Sequence, residues 1–376
     1  MAWQMIGIFV STFFVLIASH RIAPIVGLVD NPSNRKRHSG QIPLIGGLSI
    51  GLVLCLALLL FPKFIPHQSL LVFTILVLLV TGVLDDRFDL SCRSRLCIQA
   101  GLAVLVGFFT DVKLITFGDA FGLGVVQLEW LAIPMTMIAV IGAINAFNMV
   151  DGIDGLLGTL ALITFSGLAV LFYLQGNTAH TLLCFMFIAA LLPYLAFNLG
   201  VFGRNYRLFM GDAGSMVIGF AAIWLLFTLT QTSNPLVTST LSPSNATYYN
   251  EALASISPVT ALWLIAVPLM DMVAIMVRRI RKGQSPMSPD RGHLHHIFQR
   301  IGFSSRQTLC LIALIATSCV LIGIIGESAG VAESVMFYLF LFIFSIYYWM
   351  LTKAFRITAY IRVMRKKNRM LNYTIQ

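Results

Sequence analysis

Residues 69–89 read SLLVFTILVLLVTGVLDDRFD: sixteen consecutive uncharged residues, then three aspartates within five positions. As a helix, 69–84 is roughly 24 Å long, close to the apolar thickness of a bilayer. A soluble helix this apolar would be buried all round. The rest of the chain decides between core and membrane. Of its 376 residues, 58% are hydrophobic and 11% charged, against about 25% charged in a soluble domain. A protein so poor in charge cannot cover a water-facing surface, so lipid is its main solvent. Strand-period alternation is absent, which points to a helical bundle and not a barrel.

Eleven apolar segments can be drawn outward from this one: 3–20, 44–61, 69–84, 96–110, 131–147, 156–174, 180–197, 214–231, 258–277, 308–326 and 335–352. The expected fold is all-α, a polytopic transmembrane bundle of about 11 spans. Lysine and arginine set its orientation. With residue 1 outside, the inside segments 21–43, 85–95, 148–155, 198–213, 278–307 and 353–376 hold 23 of the 25 basic residues. Only Lys63 and Lys113 fall outside. That bias is the positive-inside pattern, and it places the N-terminus outside and the C-terminus in the cytoplasm. The first segment lacks a basic leader and reads as an ordinary span, not a cleaved signal. Residues 1–352 form one transmembrane domain with the inside loops 21–43, 85–95, 148–155, 198–213 and 278–307 as its working surface. Residues 353–376 form a basic tail suited to anionic lipid. The net charge of +10 thus belongs to one face, where it suits membrane lipids and phosphorylated substrates; no nucleic-acid partner is expected. The six cysteines lie in or beside apolar runs and read as small, buried, reduced side chains. The outside loop 232–257 is rich in Ser, Thr and Asn, and contains the short glycosylation-like match Asn245-Ala246-Thr247.

The acidic residues concentrate at inside span ends. On a continued helix Asp85 and Asp89 share a face, with Asp86 about 100° away. Three carboxylates in one turn repel each other, and a hard cation relieves that; the alternative is a solvated helix end neutralised by Arg87, Arg93 and Arg95. Mg²⁺ takes one or two carboxylates and completes its octahedron with water and phosphate oxygens. Residues 144–155, INAFNMVDGIDG, offer the amides Asn145 and Asn148 and the carboxylates Asp151 and Asp154, each aspartate followed by glycine. A helix end and a new N-cap would explain one of these residues, not all four. Asp212, in Phe209-Met210-Gly211-Asp212-Ala213-Gly214, reads either as an N-cap or as part of a phosphate or metal site at a helix start. Residues 288–296, SPDRGHLHH, bring Arg291, His293, His295 and His296 together. Zinc is the first alternative there, but no Cys or Glu stands at ligand distance, and hydrogen bonds to a diphosphate suit the basic surroundings better. Asp271 lies inside a span and is either functional or paired with a neighbouring helix.

Taken in order, from Gly40-Gln41-Ile42-Pro43-Leu44-Ile45-Gly46-Gly47 through DDRFD, NMVDGIDG and FMGDAGS to HLHH, these pieces resemble the polyprenyl-phosphate N-acetylhexosamine-1-phosphate transferase family. The stretch from Pro268-Leu269-Met270-Asp271-Met272 to His296 is most similar to its undecaprenyl-phosphate GlcNAc-1-phosphate (WecA-type) branch. The resemblance implies an enzyme of the bacterial inner membrane with its active site facing the cytoplasm. It would transfer GlcNAc-1-phosphate from UDP-GlcNAc to undecaprenyl phosphate, giving undecaprenyl-diphospho-GlcNAc and UMP, the first membrane step of O-antigen or common-antigen type glycan synthesis. It implies Mg²⁺, with Mn²⁺ as a substitute, and leaves room for a homodimer. It also implies roles: Asp85, Asp86 and Asp89 in catalysis; Asp86, Asn148 and Asp212 around the metal. Asn145, Asp151, Asp154, Phe209, Arg291, His293, His295 and His296 would bind substrate, with Lys36 and Arg37 in a basic N-terminal loop. UDP-GalNAc and UDP-MurNAc-pentapeptide stay open as donors. A secondary transporter would call for an internal repeat, and a prenyltransferase for a second aspartate-rich motif like the first; neither is present.

Overall fold

The computed structural model describes residues 2–30, 40–61, 64–231, 256–287 and 292–374, with side chains from Trp3 to Lys353. Lys36, Arg37 and Arg291, and all of 232–255 including the glycosylation-like match, lie outside the described residues. The chain folds as thirteen α-helices with one two-stranded ribbon among the described residues. In chain order they are α1 (Ala2–Val26), β1 (Val29–Asp30), β2 (Ile42–Pro43), α2 (Gly46–Leu60), α3 (Gln68–Phe88), α4 (Cys92–Phe109), α5 (Ala132–Val150), α6 (Leu156–Leu174) and α7 (Thr178–Asn198). There follow α8 (Gly211–Gln231), α9 (Pro258–Leu264), α10 (Ala266–Arg281), α11 (Leu294–Ile301), α12 (Ser305–Ser328) and α13 (Glu333–Thr374).

Each of the eleven expected segments falls on a helix, or for the ninth on a bent pair of helices, but eleven spans are not confirmed. Nine helices among the described residues are long and apolar enough to cross a membrane, or ten with one bent pair counted as a span. The second expected segment is α2, whose 15 residues reach roughly 22 Å, short of the apolar thickness. The ninth is broken into α9 and α10, which meet at 85°. Proline causes the break. Pro268 has no N–H to give, and its ring clashes with the carbonyl four residues back, that of Leu264. The freed Leu264 carbonyl accepts from Thr164 Oγ1 at 3.1 Å instead. Of the cysteines, Cys55, Cys184 and Cys319 are buried as expected, whereas Cys97 and Cys310 are exposed.

Helix α8 is the axis of the bundle. All its residues except Asp212 are buried, and α2, α3, α5 and α6 pack around it. Helix α1 and the first part of α13 bury least and present large apolar side chains such as Phe14, Phe342 and Trp349 outward, as a lipid-facing rim requires. Between spans in lipid, association rests on close packing, not on expulsion of water, and small residues allow it. At the start of α8, Gly47 of α2 lies against Gly214, and Gly82 of α3 lies so close to the Ala213 backbone that no Cβ fits between them. Gly82→Ala should therefore destabilise the protein by about 1–3 kcal/mol despite alanine's better helix propensity. A lowered melting temperature in detergent checks this.

The ribbon completes the architecture. Val29 pairs with Pro43 and Asp30 with Ile42, and the chain then zips onto the segment before α8. Phe209 N–H donates to the Pro43 carbonyl at 2.8 Å, and Gly46 N–H and Gly47 N–H donate to the Phe209 and Met210 carbonyls at 2.9 and 2.8 Å. These bonds fasten residues 40–47 to one end of the bundle.

Candidate active site

At that end the termini of α3, α5, α7 and α8, the 151–154 loop and α11 surround an open cleft of about 1570 Å³. Single small-molecule sites usually occupy about 300–1,000 Å³, so the space admits two substrates together. The aspartates Asp30, Asp85, Asp86, Asp89, Asp151, Asp154 and Asp212 line it, against the arginines Arg204, Arg207 and Arg300.

Asp85 is 4% exposed. Its Oδ2 meets Arg95 Nη1 at 2.7 Å and its Oδ1 accepts the Leu90 N–H at 2.9 Å. Both oxygens are thus engaged. Asp86, one position on, turns to α8: its Oδ1 accepts the Asp212 N–H at 2.8 Å and its Oδ2 lies 3.4 Å from the Ala213 nitrogen. A residue of α3 therefore caps α8 from outside, favoured by the positive end of that helix. Gly211 makes room for it. Its φ is +74°, and an added Cβ would stand 2.5 Å from Asp86 Oδ2. Asn148, at the end of α5, donates from Nδ2 to Asp212 Oδ1 at 2.5 Å and to Ser215 Oγ at 2.8 Å.

Among the described residues Asp85 and Asp154 have arginine partners, the second being Arg207 at 2.8 Å. Asp86 and Asp212 have only neutral donors, and Asp212 interacts with both Asp85 and Asp86. This is a concentration of negative oxygen ligands that a hard divalent cation would neutralise. Among the described residues no group of three or more His, Cys, Asp or Glu side chains is placed to hold a metal ion by itself. Mg²⁺ does not ask for one, since water and substrate phosphate complete its shell. Asn148 turns its amide nitrogen, not its oxygen, toward Asp212, so here it orients that carboxylate; as a ligand it would present Oδ1 after a flip of the amide.

Nine of the sequence-predicted residues line the cleft: Asp85, Asp86, Asp89, Asn148, Asp151, Asp154, Phe209, Asp212 and His296. Asp89 does so differently from expectation. Helix α3 ends at Phe88 and Asp89 is its C-cap at φ +52°, so it stands on the rim and shares no helical face with Asp85. Three residues are not brought to the cleft. Asn145, one turn deeper than Asn148, donates to Gln99 Oε1 at 3.0 Å and to the Ile141 carbonyl at 2.8 Å, tying α5 to α4. His293 is buried in a pair with Asp271 at 2.7 Å. His295 is 3% exposed and its ring lies where a Cβ of Gly152 would be. Burial, reinforced by the charge of His296, pushes its pKa down to about 3. It is therefore neutral near pH 7 and packs the histidine segment onto the 151–155 loop.

Sequence reasoning missed other residues. Asn198, 3% exposed, accepts the Gly155 N–H at 2.5 Å and donates to the Leu208 carbonyl at 2.8 Å, stapling the 151–155 loop to the segment before α8. Arg207 sets Asp154. Gln299 and Arg300 of α11 join His296 on the cleft wall. The available signal was the spacing 296, 299, 300, which is one face of a helix.

The description "Glycosyl transferase family 4" fits residues 68–230, which contain α3 to α8 and most of the aspartates of the cleft. Over nearly its whole length the chain is similar to enzymes called undecaprenyl-phosphate alpha-N-acetylglucosaminyl 1-phosphate transferase. It is 44% identical to that of Escherichia coli O157:H7, with 97% of this chain and 95% of the relative covered. Identity to the Yersinia pestis protein is 43%, covering 98% and 96%. For the Haemophilus influenzae protein it is 43%, covering 96% and 97%. With the aspartate cleft in place at the end of the bundle, the chain belongs to the family of undecaprenyl-phosphate alpha-N-acetylglucosaminyl 1-phosphate transferases.

Proposed function

We propose that the protein transfers GlcNAc-1-phosphate from UDP-GlcNAc to undecaprenyl phosphate, releasing UMP, at the cytoplasmic face of a bacterial inner membrane. The observation that carries this reading is the Asp86–Asp212 pair, which enters no salt bridge among the described residues, on the floor of a cleft large enough for two phosphorylated substrates. Family membership supports undecaprenyl phosphate as acceptor and GlcNAc-1-phosphate as the group transferred. The side of the bundle bearing the cleft is the one that the basic-residue bias assigns to the cytoplasm.

Atoms and charge balance in one displacement. An oxygen of the lipid phosphate attacks the β-phosphorus of the donor, the bond between that phosphorus and the bridging oxygen breaks, and UMP departs with the electron pair. Asp86 and Asp212, oriented by Asn148, would hold Mg²⁺, which supplies neutralisation of phosphate charge and a better leaving group. A phosphate monoester is largely ionised at pH 7, its second pKa being about 6, so the acceptor needs positioning more than deprotonation. Asp85 fits that lesser task. Both its oxygens are held by Arg95 and the Leu90 N–H, bonds it would have to surrender to act as a nucleophile. Phe209, Asp151 and Asp154, which Arg207 orients, form the wall for the nucleoside, and the face of α11 meets the diphosphate.

The test is a transfer assay on purified protein in detergent with undecaprenyl phosphate, Mg²⁺ and labelled UDP-GlcNAc. Lipid-extractable label together with UMP, lost on chelation and restored by Mg²⁺, is the expected result. Label moving only from UDP-GalNAc or UDP-MurNAc-pentapeptide would change the donor. No transfer from any of the three would remove the reading.

A further inference from the structure

Asp271 sits in the second half of the broken span, 1% exposed, where an ionisable group is costly and needs partners. It has three. Its Oδ2 accepts from His293 Nδ1 at 2.7 Å, and its Oδ1 accepts the Leu294 N–H at 3.0 Å and the Tyr347 hydroxyl at 2.5 Å. A carboxylate can only accept, so His293 carries its proton on Nδ1. The first two donors belong to the start of α11 and the third to α13, more than fifty residues further along the chain. Helix α11 has eight residues and no side-chain cap of its own, too short to be stable alone. Asp271 supplies the missing cap from another helix. The side of α11 away from this anchor carries His296, Gln299 and Arg300 to the cleft.

We propose that Asp271, with His293 and Tyr347, is the positioning group that holds the donor-binding face of α11, so that these three residues set the affinity for the nucleotide-sugar diphosphate without touching it. The proposal rests on the transferase reading above. An imidazole, an amide and a guanidinium on one face offer the donors that a diphosphate accepts. The acceptor lipid reaches the cleft from the membrane, and its binding does not depend on this anchor. His293 therefore acts through α11, not on the reacting atoms, and an amide that reproduces its Nδ1–H should replace it.

The experiment measures KM for UDP-GlcNAc and, separately, for undecaprenyl phosphate. Tyr347→Phe removes one hydroxyl from a carboxylate and should raise the donor KM about tenfold, leaving the lipid KM within about twofold. His293→Ala should do the same, and His293→Asn should recover most of the loss. Arg300→Ala should also raise the donor KM about tenfold, and in combination with Tyr347→Phe the effect should stay close to that of one change, since both act on the same contact. Multiplying effects, an equal rise of both KM values, or no recovery with His293→Asn would overturn the proposal. Hydrogen–deuterium exchange of residues 294–301 is read in the same Tyr347→Phe protein and needs no turnover. Faster exchange there than in the parent supports the anchor and unchanged exchange overturns it. Failure of the parent protein to transfer sugar phosphate from any donor would instead count against the transferase reading.

Discussion

Asp86→Asn should reduce turnover by about 10³-fold, the scale of losing one preorganised charge at a reacting phosphate, in a protein that still folds. The isostere separates two duties that Asp86 combines. Its Oδ1 receives the Asp212 N–H at the start of α8, and an asparagine Oδ1 can take the same bond, since asparagine caps helices as well as aspartate. What disappears is the charge. Neither Asp86 nor Asp212 enters a salt bridge among the described residues, so the cation would lose one of its two proposed anionic ligands. The melting temperature should stay within about 3 °C of the parent. Asp86→Ala removes cap and charge together and should lower the melting temperature further, by the equivalent of about 1 kcal/mol. Near-normal transfer by Asp86→Asn at saturating Mg²⁺ would take Asp86 out of the metal site and leave it a capping residue.

The sequence made the helices legible because each span is a long apolar run with its charges at the ends. It did not reveal the break at Ile265. Pro268 was in plain view, but prolines at 24 and 193 sit inside unbroken helices. A proline alone therefore does not mark a break; at Pro268 the freed Leu264 carbonyl is taken up by Thr164. The aspartate clusters were legible as chemistry, since six carboxylates at inside span ends are hard to explain by stability alone. Their division of labour was not. Asn145 and Asn148 lie three residues apart on one helix, and only the position of Gln99 shows that the first is spent on α4. Likewise the run His293-Leu294-His295-His296 looks like one ligand cluster, whereas the turn into α11 sends its histidines three ways: to Asp271, against Gly152, and into the cleft. Spacing gives faces, but a face acquires a role only from what packs against it.

Asp212→Asn should be as damaging as Asp86→Asn, about 10³-fold in kcat, although the two residues differ in every local respect. Asp212 is on α8, it caps nothing in another helix, and its Oδ1 accepts from the Asn148 amide at 2.5 Å. That bond fixes the carboxylate toward the cleft, and Ser215 holds the same amide from the other side at 2.8 Å. An asparagine at this place can keep its oxygen toward Asn148, so the start of α8 and the packing of Gly47 and Gly82 against it are undisturbed. The informative measurement is the double change. If Asp86 and Asp212 serve one cation, removing the second carboxylate after the first removes little more. Then Asp86→Asn with Asp212→Asn should be only slightly slower than either alone, as for residues that work as a unit. If they serve separate functions, the losses should multiply towards about 10⁶-fold. Raising the Mg²⁺ concentration distinguishes the cause of the loss. A weakened cation site regains part of its activity as the ion is forced back, whereas a disturbed nucleoside or lipid site does not respond. The asparagine at position 148 can be read on the same scale. Asn148→Ala leaves both charges but releases Asp212 from its orienting bond, so it should cost less than either aspartate, about 10-fold to 100-fold, and most of that should return at high Mg²⁺.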